Sequence, residues 1–122
     1  MKVLIVDDST TARARISIFL ADNGYEIYEA DSGVSGLEIL RKNKEINLIL
    51  SDLNMPLMDG MSFIQNAREI KEFSNVPVVI CTTEMCENLK KEAKLLGVKA
   101  WVPKPFNLKR ILGLIDKIFD RL

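Results

Sequence analysis

Five times along this chain a short apolar run is followed by a stretch of helical period, and that alternation constrains the fold more than any other feature. Strand-like and helix-like segments in strict succession are the signature of an α/β domain, a parallel sheet with helices on both faces. Residues 2 to 6 form the first strand, ending in Asp7-Asp8. Ser9 or Thr10 then supplies an N-cap for a helix that carries Ala12, Ile16, Phe19 and Leu20 inward and closes at Asn23-Gly24. Tyr25 to Ala30 alternates like a more exposed strand, and Ser32-Gly33 opens a second helix with Val34, Leu37 and Leu40 on one face, ended by the charge-rich Arg41 to Glu45. Leu48 to Leu50 reads as a strand buried on both faces, and a third helix runs from about Met61 to Lys71 on Phe63, Ile64, Ala67 and Ile70. Val76 to Cys81 is a fourth strand, with Pro77 near its start, where a lost ladder donor matters least. Glu84 to Leu96 is a fourth helix, with Leu89, Ala93 and Leu96 inward and Gly97 as its stop, and Ala100 to Pro103 is a short fifth strand. The last helix keeps Leu108, Ile111, Leu112, Ile115, Ile118, Phe119 and Leu122 in helical spacing, with Lys109, Arg110, Asp116, Lys117, Asp120 and Arg121 on the other side. Its two heptads are too few for a coiled coil, so the stripe is read as core.

A chain of 122 residues carries one such domain, residues 1–122, and buries a single core without staples. Basic and acidic residues number 17 each, so no global attraction to nucleic acid or anionic membrane is expected. The apolar run at Met1 to Val6 is far too short for a signal peptide, and no stretch approaches the roughly 18 apolar residues of a membrane span, so a soluble cytoplasmic protein is expected. Cys81 lies in an apolar run and Cys86 in a helical pattern, placements of idle thiols rather than of a disulfide framework. Histidine is absent, which removes imidazole zinc ligands and phosphohistidine chemistry within this chain.

In a doubly wound sheet, ligands bind outside the carboxyl ends of the central strands. Asp7 and Asp8 follow strand one, Asp52 strand three, Thr82 and Thr83 strand four, and Lys104 strand five. Asn54, Pro56 and Asp59-Gly60 stop strand three and force an irregular loop over Asp52. Any one of these residues has an ordinary explanation as a strand-end or turn residue; their collection at one edge points to a cleft. Three acids without Cys or His make a hard oxygen site, suited to magnesium. Two carboxylates about 4 Å apart repel by about 4 kcal/mol at an effective dielectric of 20, so the cluster needs a cation. With magnesium and Lys104 neutralising charge on phosphoryl oxygens, one carboxylate is left as a nucleophile toward phosphorus, and Thr82 is placed to hydrogen-bond the phosphoryl group.

The set Asp7-Asp8, Asp52, Thr82 and Lys104-Pro105-Phe106, spread over the whole chain, resembles the receiver domain of two-component response regulators, most closely the stand-alone chemotaxis regulator type. That resemblance implies a flavodoxin-like five-stranded parallel sheet of order 2-1-3-4-5 with five helices. It makes Asp52 the phospho-acceptor from a partner histidine kinase, with magnesium on Asp8, Asp52 and the backbone carbonyl of Asn54, and Asp7 acting through water. Lys104 would pair with Asp52 or its phosphate across a cis Lys104-Pro105 bond, Thr82 would be the switch hydroxyl, and Trp101 the aromatic that moves inward with it. Asn54 and Glu84 match the pair that tunes attack of water on the acyl phosphate, while Thr83 is bulkier than the family's usual Ala or Gly and narrows access. The output face would be the fourth helix, fifth strand and fifth helix, binding a partner such as a flagellar motor switch protein or a phosphatase. The kinase would dock near Thr11, Arg13, Arg15 and Ser17. A monomer is expected, with no enzymatic activity beyond self-catalysed phosphoryl transfer and autodephosphorylation.

Other readings share the architecture. A flavin binder would place a phosphate at the loop after strand one, where Asp7-Asp8 would repel it. A dinucleotide enzyme needs a Gly-rich turn there, and none is present. A metal-dependent phosphatase needs a cap that 122 residues leave little room for. A receiver-like binding module that is never phosphorylated, and a receiver cut from a longer DNA-binding regulator, remain the alternatives.

Overall fold

The computed structural model describes residues 1–120, and the end of the last helical stripe at Arg121 and Leu122 lies outside them. Strands β1 (Lys2–Val6), β2 (Glu26–Ala30), β3 (Leu48–Ser51), β4 (Val78–Thr82) and β5 (Ala100–Pro103) alternate with helices α1 (Thr10–Asp22), α2 (Gly33–Lys42), α3 (Gly60–Arg68), α4 (Glu87–Leu95) and α5 (Leu108–Ile118). All pairings are parallel and the order is β2-β1-β3-β4-β5, as the resemblance implies.

Alternate residues of the strands feed two cores, because successive side chains point to opposite faces. Leu4, Val6, Ile49, Val78 and Ile80 pack with Leu37 and Leu40 of α2, Phe63, Ile64 and Ala67 of α3, and Ala93 of α4. Val3, Ile5, Leu48, Leu50, Val79, Cys81 and Val102 pack with Ile16 and Leu20 of α1 and Ile111 and Ile115 of α5. β2 is the exposed edge that its alternation predicts. Side-chain caps start four helices, with Ser9, Ser32, Asp59 and Asn107 each accepting a backbone N–H from three residues on. Gly24 and Gly97 hold the positive φ angles, 93° and 80°, that end α1 and α4.

Several boundaries differ from the sequence expectation. α3 stops at Arg68, and a 3-10 turn over Lys71–Phe73 sinks Phe73 completely into the core. β4 begins at Val78 rather than Val76 and runs through Thr82. α4 begins at Glu87 rather than Glu84, so Cys86 is an exposed cap residue and not part of a helix. Val34 is exposed, because α2 turns Gly33 and Gly36 inward beside Leu37 and Leu40. A Cβ on Gly36 would sit 2.8 Å from the Phe63 ring, so the absence of a side chain there is what lets α2 approach.

Candidate functional site

Sheet order brings the acids together. The chain order reverses between β1 and β3, and in register Val6 lies opposite Ser51, so Asp7 and Asp52 leave neighbouring strands side by side. The Asp52 N–H donates to the Val6 carbonyl at 3.0 Å, fixing that adjacency. On the other side, the Lys104 N–H donates to the Thr82 carbonyl at 2.9 Å, which brings the end of β5 up against β4.

Lys104 Nζ lies 2.8 Å from Asp7 Oδ2 and 2.8 Å from Asp52 Oδ2, so one ammonium bridges both buried acids. Burial lowers the Lys104 pKa, but the hydrogen bonds to Asp52 and Asp7 outweigh it and hold the group above the ordinary lysine value, hence charged. Asp52 Oδ1 accepts the backbone N–H groups of Leu53 (2.6 Å) and Asn54 (3.1 Å), and Asp7 Oδ1 accepts that of Ser9 (2.9 Å). Asp8 is exposed, yet one carboxylate oxygen from each of Asp7, Asp8 and Asp52 falls within a 4.8 Å set. Three hard oxygen donors, two of them buried and with no sulfur or imidazole among them, suit magnesium better than a transition metal.

The hydroxyl of Thr82 is fully buried and accepts the Glu84 N–H at 3.2 Å. The Glu84 carboxylate turns onto the start of α4, accepting N–H groups of Met85 and Cys86 at 3.1 and 3.2 Å. Asn54 Nδ2 reaches Thr83 Oγ1 at 3.5 Å, so the β3–α3 and β4–α4 loops touch across the mouth of the cleft. Trp101 is half-buried. Among the described residues its indole N–H, shielded from solvent, has no partner, and Lys90 Nζ lies 5.7 Å from its ring. The Lys104-Pro105 bond is cis.

Of the docking candidates on α1, Thr11 and Arg15 are exposed, but Arg13 and Ser17 are not free. Arg13 pairs with Glu29 at 3.1 Å and donates to the Asp7 carbonyl at 2.6 Å, and Ser17 bonds Glu29 at 3.0 Å, because β2 lies close beneath α1. Sequence reading also passed over Arg68, whose guanidinium donates to the carbonyls of Leu96, Phe73 and Val76 and ties α3 to the far end of the sheet.

Cys81, one residue before Thr82 and facing α5, is pushed by burial up to about 12 from an ordinary 9.0. Stability tied to its neutral thiol is therefore full below pH 9 and drains away as the pH climbs toward 12. At pH 8 the expected result with a thiol-specific alkylating reagent is one modified cysteine, the exposed Cys86, and two after denaturation. Rapid double labelling of the folded protein would contradict that burial.

Fold and cleft together define a class: a doubly wound α/β domain with an acidic, lysine-bridged pocket at its topological switch point. Within that class the chain belongs to the response regulator receiver domain family, whose model matches residues 3–116. That family typically binds magnesium at an acidic pocket of this kind. The chain is 37% identical to the chemotaxis protein CheY-3 of Vibrio cholerae serotype O1, covering 100% of this chain and 94% of the relative. It is 36% identical to the chemotaxis protein CheY1 of Helicobacter pylori, covering 95% of this chain and all of that one. Among solved structures, Vibrio cholerae chemotaxis protein CheY4 superposes with a TM-score of 0.90 at 36% identity, over 96% of this chain and 97% of that one.

Proposed function

We propose that this receiver takes a phosphoryl group on Asp52 from the phosphohistidine of a partner kinase, with magnesium, and that the acyl phosphate switches an output surface. The carrying observation is the single ammonium 2.8 Å from both Asp7 and Asp52 inside a three-carboxylate cluster. Asp8, Asp52 and the Asn54 backbone carbonyl would hold magnesium, with Asp7 acting through water. Bound there, the metal would supply charge neutralisation for the phosphoryl oxygens.

Oδ1 of Asp52 is held by two backbone N–H groups that cannot follow it, whereas Oδ2 faces a flexible lysine. Oδ2 is therefore the nucleophile. It attacks phosphorus in line, the P–N bond to the donor's imidazole breaks with its electron pair, and the imidazole nitrogen takes a proton from solvent. Lys104 swings from the carboxylate to a phosphoryl oxygen, and the Thr82 hydroxyl releases the Glu84 N–H to donate to another. Drawing Thr82 in moves the β4–α4 loop and opens space toward Trp101. A shielded indole N–H without a partner costs about 1–3 kcal/mol, which supports a second ring position close in free energy. The α4–β5–α5 face would then bind the output partner.

Relatives named as chemotaxis proteins support a chemotactic output. No helix among the described residues is long and apolar enough to cross a membrane, which fits action in the cytoplasm. Asn54 and Glu84 would set the phosphate's lifetime, and Thr83, tied to Asn54, would slow the entry of water and donor. The protein catalyses nothing but its own phosphorylation and dephosphorylation, and acts as a monomer. Intact mass after incubation with a small acyl phosphate tests the chemistry: the expected result is one phosphate adduct that requires magnesium. Thr82→Ala should keep the adduct and lose the accompanying change in Trp101 fluorescence; an unmodified wild-type chain would overturn the reading.

A further inference from the structure

Leu57 is the most exposed large apolar residue described, 104% of its free accessibility, and its φ is +68°. The Met58 N–H donates back to the Pro56 carbonyl at 2.8 Å, which closes a three-residue turn around it. An i to i+2 hydrogen bond with positive φ at the centre is the rare, strained form of γ-turn. Glycine or asparagine would occupy that position at lower cost, and a leucine there gains nothing from its own fold, since its side chain contacts solvent alone. A strained, unburied leucine is open to a partner outside the chain.

Its place says which. Leu57 sits in the β3–α3 loop, which leaves Asp52 at the cleft, touches Thr83 through Asn54, and is closed by the Gly60 N–H bonding the Leu53 carbonyl at 2.9 Å. A second feature, a largely apolar hollow of about 260 Å³ lined by Ala12, Arg15, Ile16, Pro105, Phe106 and Leu108, shares Thr83 and Lys104 with the same cleft. A macromolecule that delivers phosphate to Asp52 Oδ2 must approach past the loops that carry this knob and border this hollow. Small donors need touch neither.

We infer that Leu57 is an apolar anchor for the phosphodonor protein, entering a shallow socket beside its phosphohistidine. This rests on Asp52 being the phospho-acceptor. The output partner, which reads the α4–β5–α5 face, does not use it.

The test compares Leu57→Gly, Leu57→Asn and Leu57→Met with the parent against two donors. One is phosphoramidate. The other is whichever purified, radiolabelled histidine kinase of the source organism phosphorylates the parent fastest. The expected result is unchanged phosphorylation by phosphoramidate in all variants, about a tenfold fall in kcat/KM from the kinase for Gly and Asn, and near-parent transfer for Met. Gly and Asn should also melt a few degrees higher, since strain is released. Kinase transfer within twofold of the parent for Gly and Asn overturns the inference, as does an equal fall for Met. A parent that accepts phosphate from phosphoramidate but from none of the kinases overturns it too. A parent unmodified by phosphoramidate as well would instead remove the phospho-acceptor reading.

Discussion

Asp52→Asn is expected to abolish the phosphate adduct altogether and to leave the protein folded. The amide keeps the Oδ1 acceptor in place, so the Leu53 and Asn54 N–H groups at 2.6 and 3.1 Å stay paired and the loop keeps its course. What changes is Oδ2. An NH₂ group replaces it, its lone pair delocalised into the carbonyl and so no nucleophile toward phosphorus, and now a donor faces the Lys104 ammonium, which retains Asp7 alone. In magnesium-free buffer two terms oppose. One charge-assisted hydrogen bond is lost, about 1.5–3 kcal/mol; relief of repulsion between neighbouring carboxylates returns about 4 kcal/mol per pair at 4 Å and a dielectric of 20. Because Asp52 neighbours both Asp7 and Asp8, relief should outweigh the loss and the variant should be the more stable without magnesium, read as a higher urea midpoint. With magnesium the order should reverse, because a parent that holds the metal on Asp52 would gain binding free energy that the variant mostly lacks. An adduct of parental yield on the variant would place the acceptor elsewhere, and an equal magnesium response in both proteins would remove Asp52 from the metal's ligands.

Much of that cleft is legible in the sequence because its residues are tied to strand ends, and strand ends are what apolar runs locate best. Asp7, Asp52 and Lys104 each close such a run, and Thr82 sits one residue beyond the one read as the fourth strand. What the sequence conceals lies where small or polar residues do the packing. Gly33 and Gly36 carry no hydropathy signal, yet they set the phase of α2 and turn Val34 outward. Arg68 and Arg13 look like solvated charges in a helical wheel, and only the folded chain shows carbonyls waiting for them. Lys104 was expected to pair with Asp52 or its phosphate. That it bridges Asp7 as well follows from the convergence of β1, β3 and β5, which the pattern of one strand does not contain. Leu57 escapes sequence reading for the opposite reason. An apolar residue in a loop attracts no notice until its φ and exposure are known.

Two glycine-to-alanine changes should move stability in opposite directions, and the larger effect falls on the loop over Asp52. A Cβ at Gly60 is driven onto the carbonyl oxygen of Asp52 and to 2.6 Å from Leu53 Cα, both backbone atoms that cannot rotate away. Gly60 also bonds Leu53 through its N–H and opens α3 directly behind the Asp59 cap, so the clash is relieved only by shifting the loop or the helix start. Gly60→Ala should cost about 3 kcal/mol or more. Gly113 lies exposed inside α5, with nothing within 4 Å of a Cβ. Alanine there only reduces the freedom of the unfolded chain and should stabilise by about 1 kcal/mol. The two variants should thus differ by about 4 kcal/mol, a gap in Tm on the order of 15 °C. The functional readouts separate as well. The Gly113 variant should phosphorylate at the parental rate, whereas in the Gly60 variant the displaced loop would carry the Asn54 carbonyl away from Asp52, and adduct formation should slow even at a temperature where the protein is folded. A Gly60→Ala protein that melts with the parent would mean that the loop yields without cost, and that the packing of this glycine against Asp52 does not hold the acceptor in place.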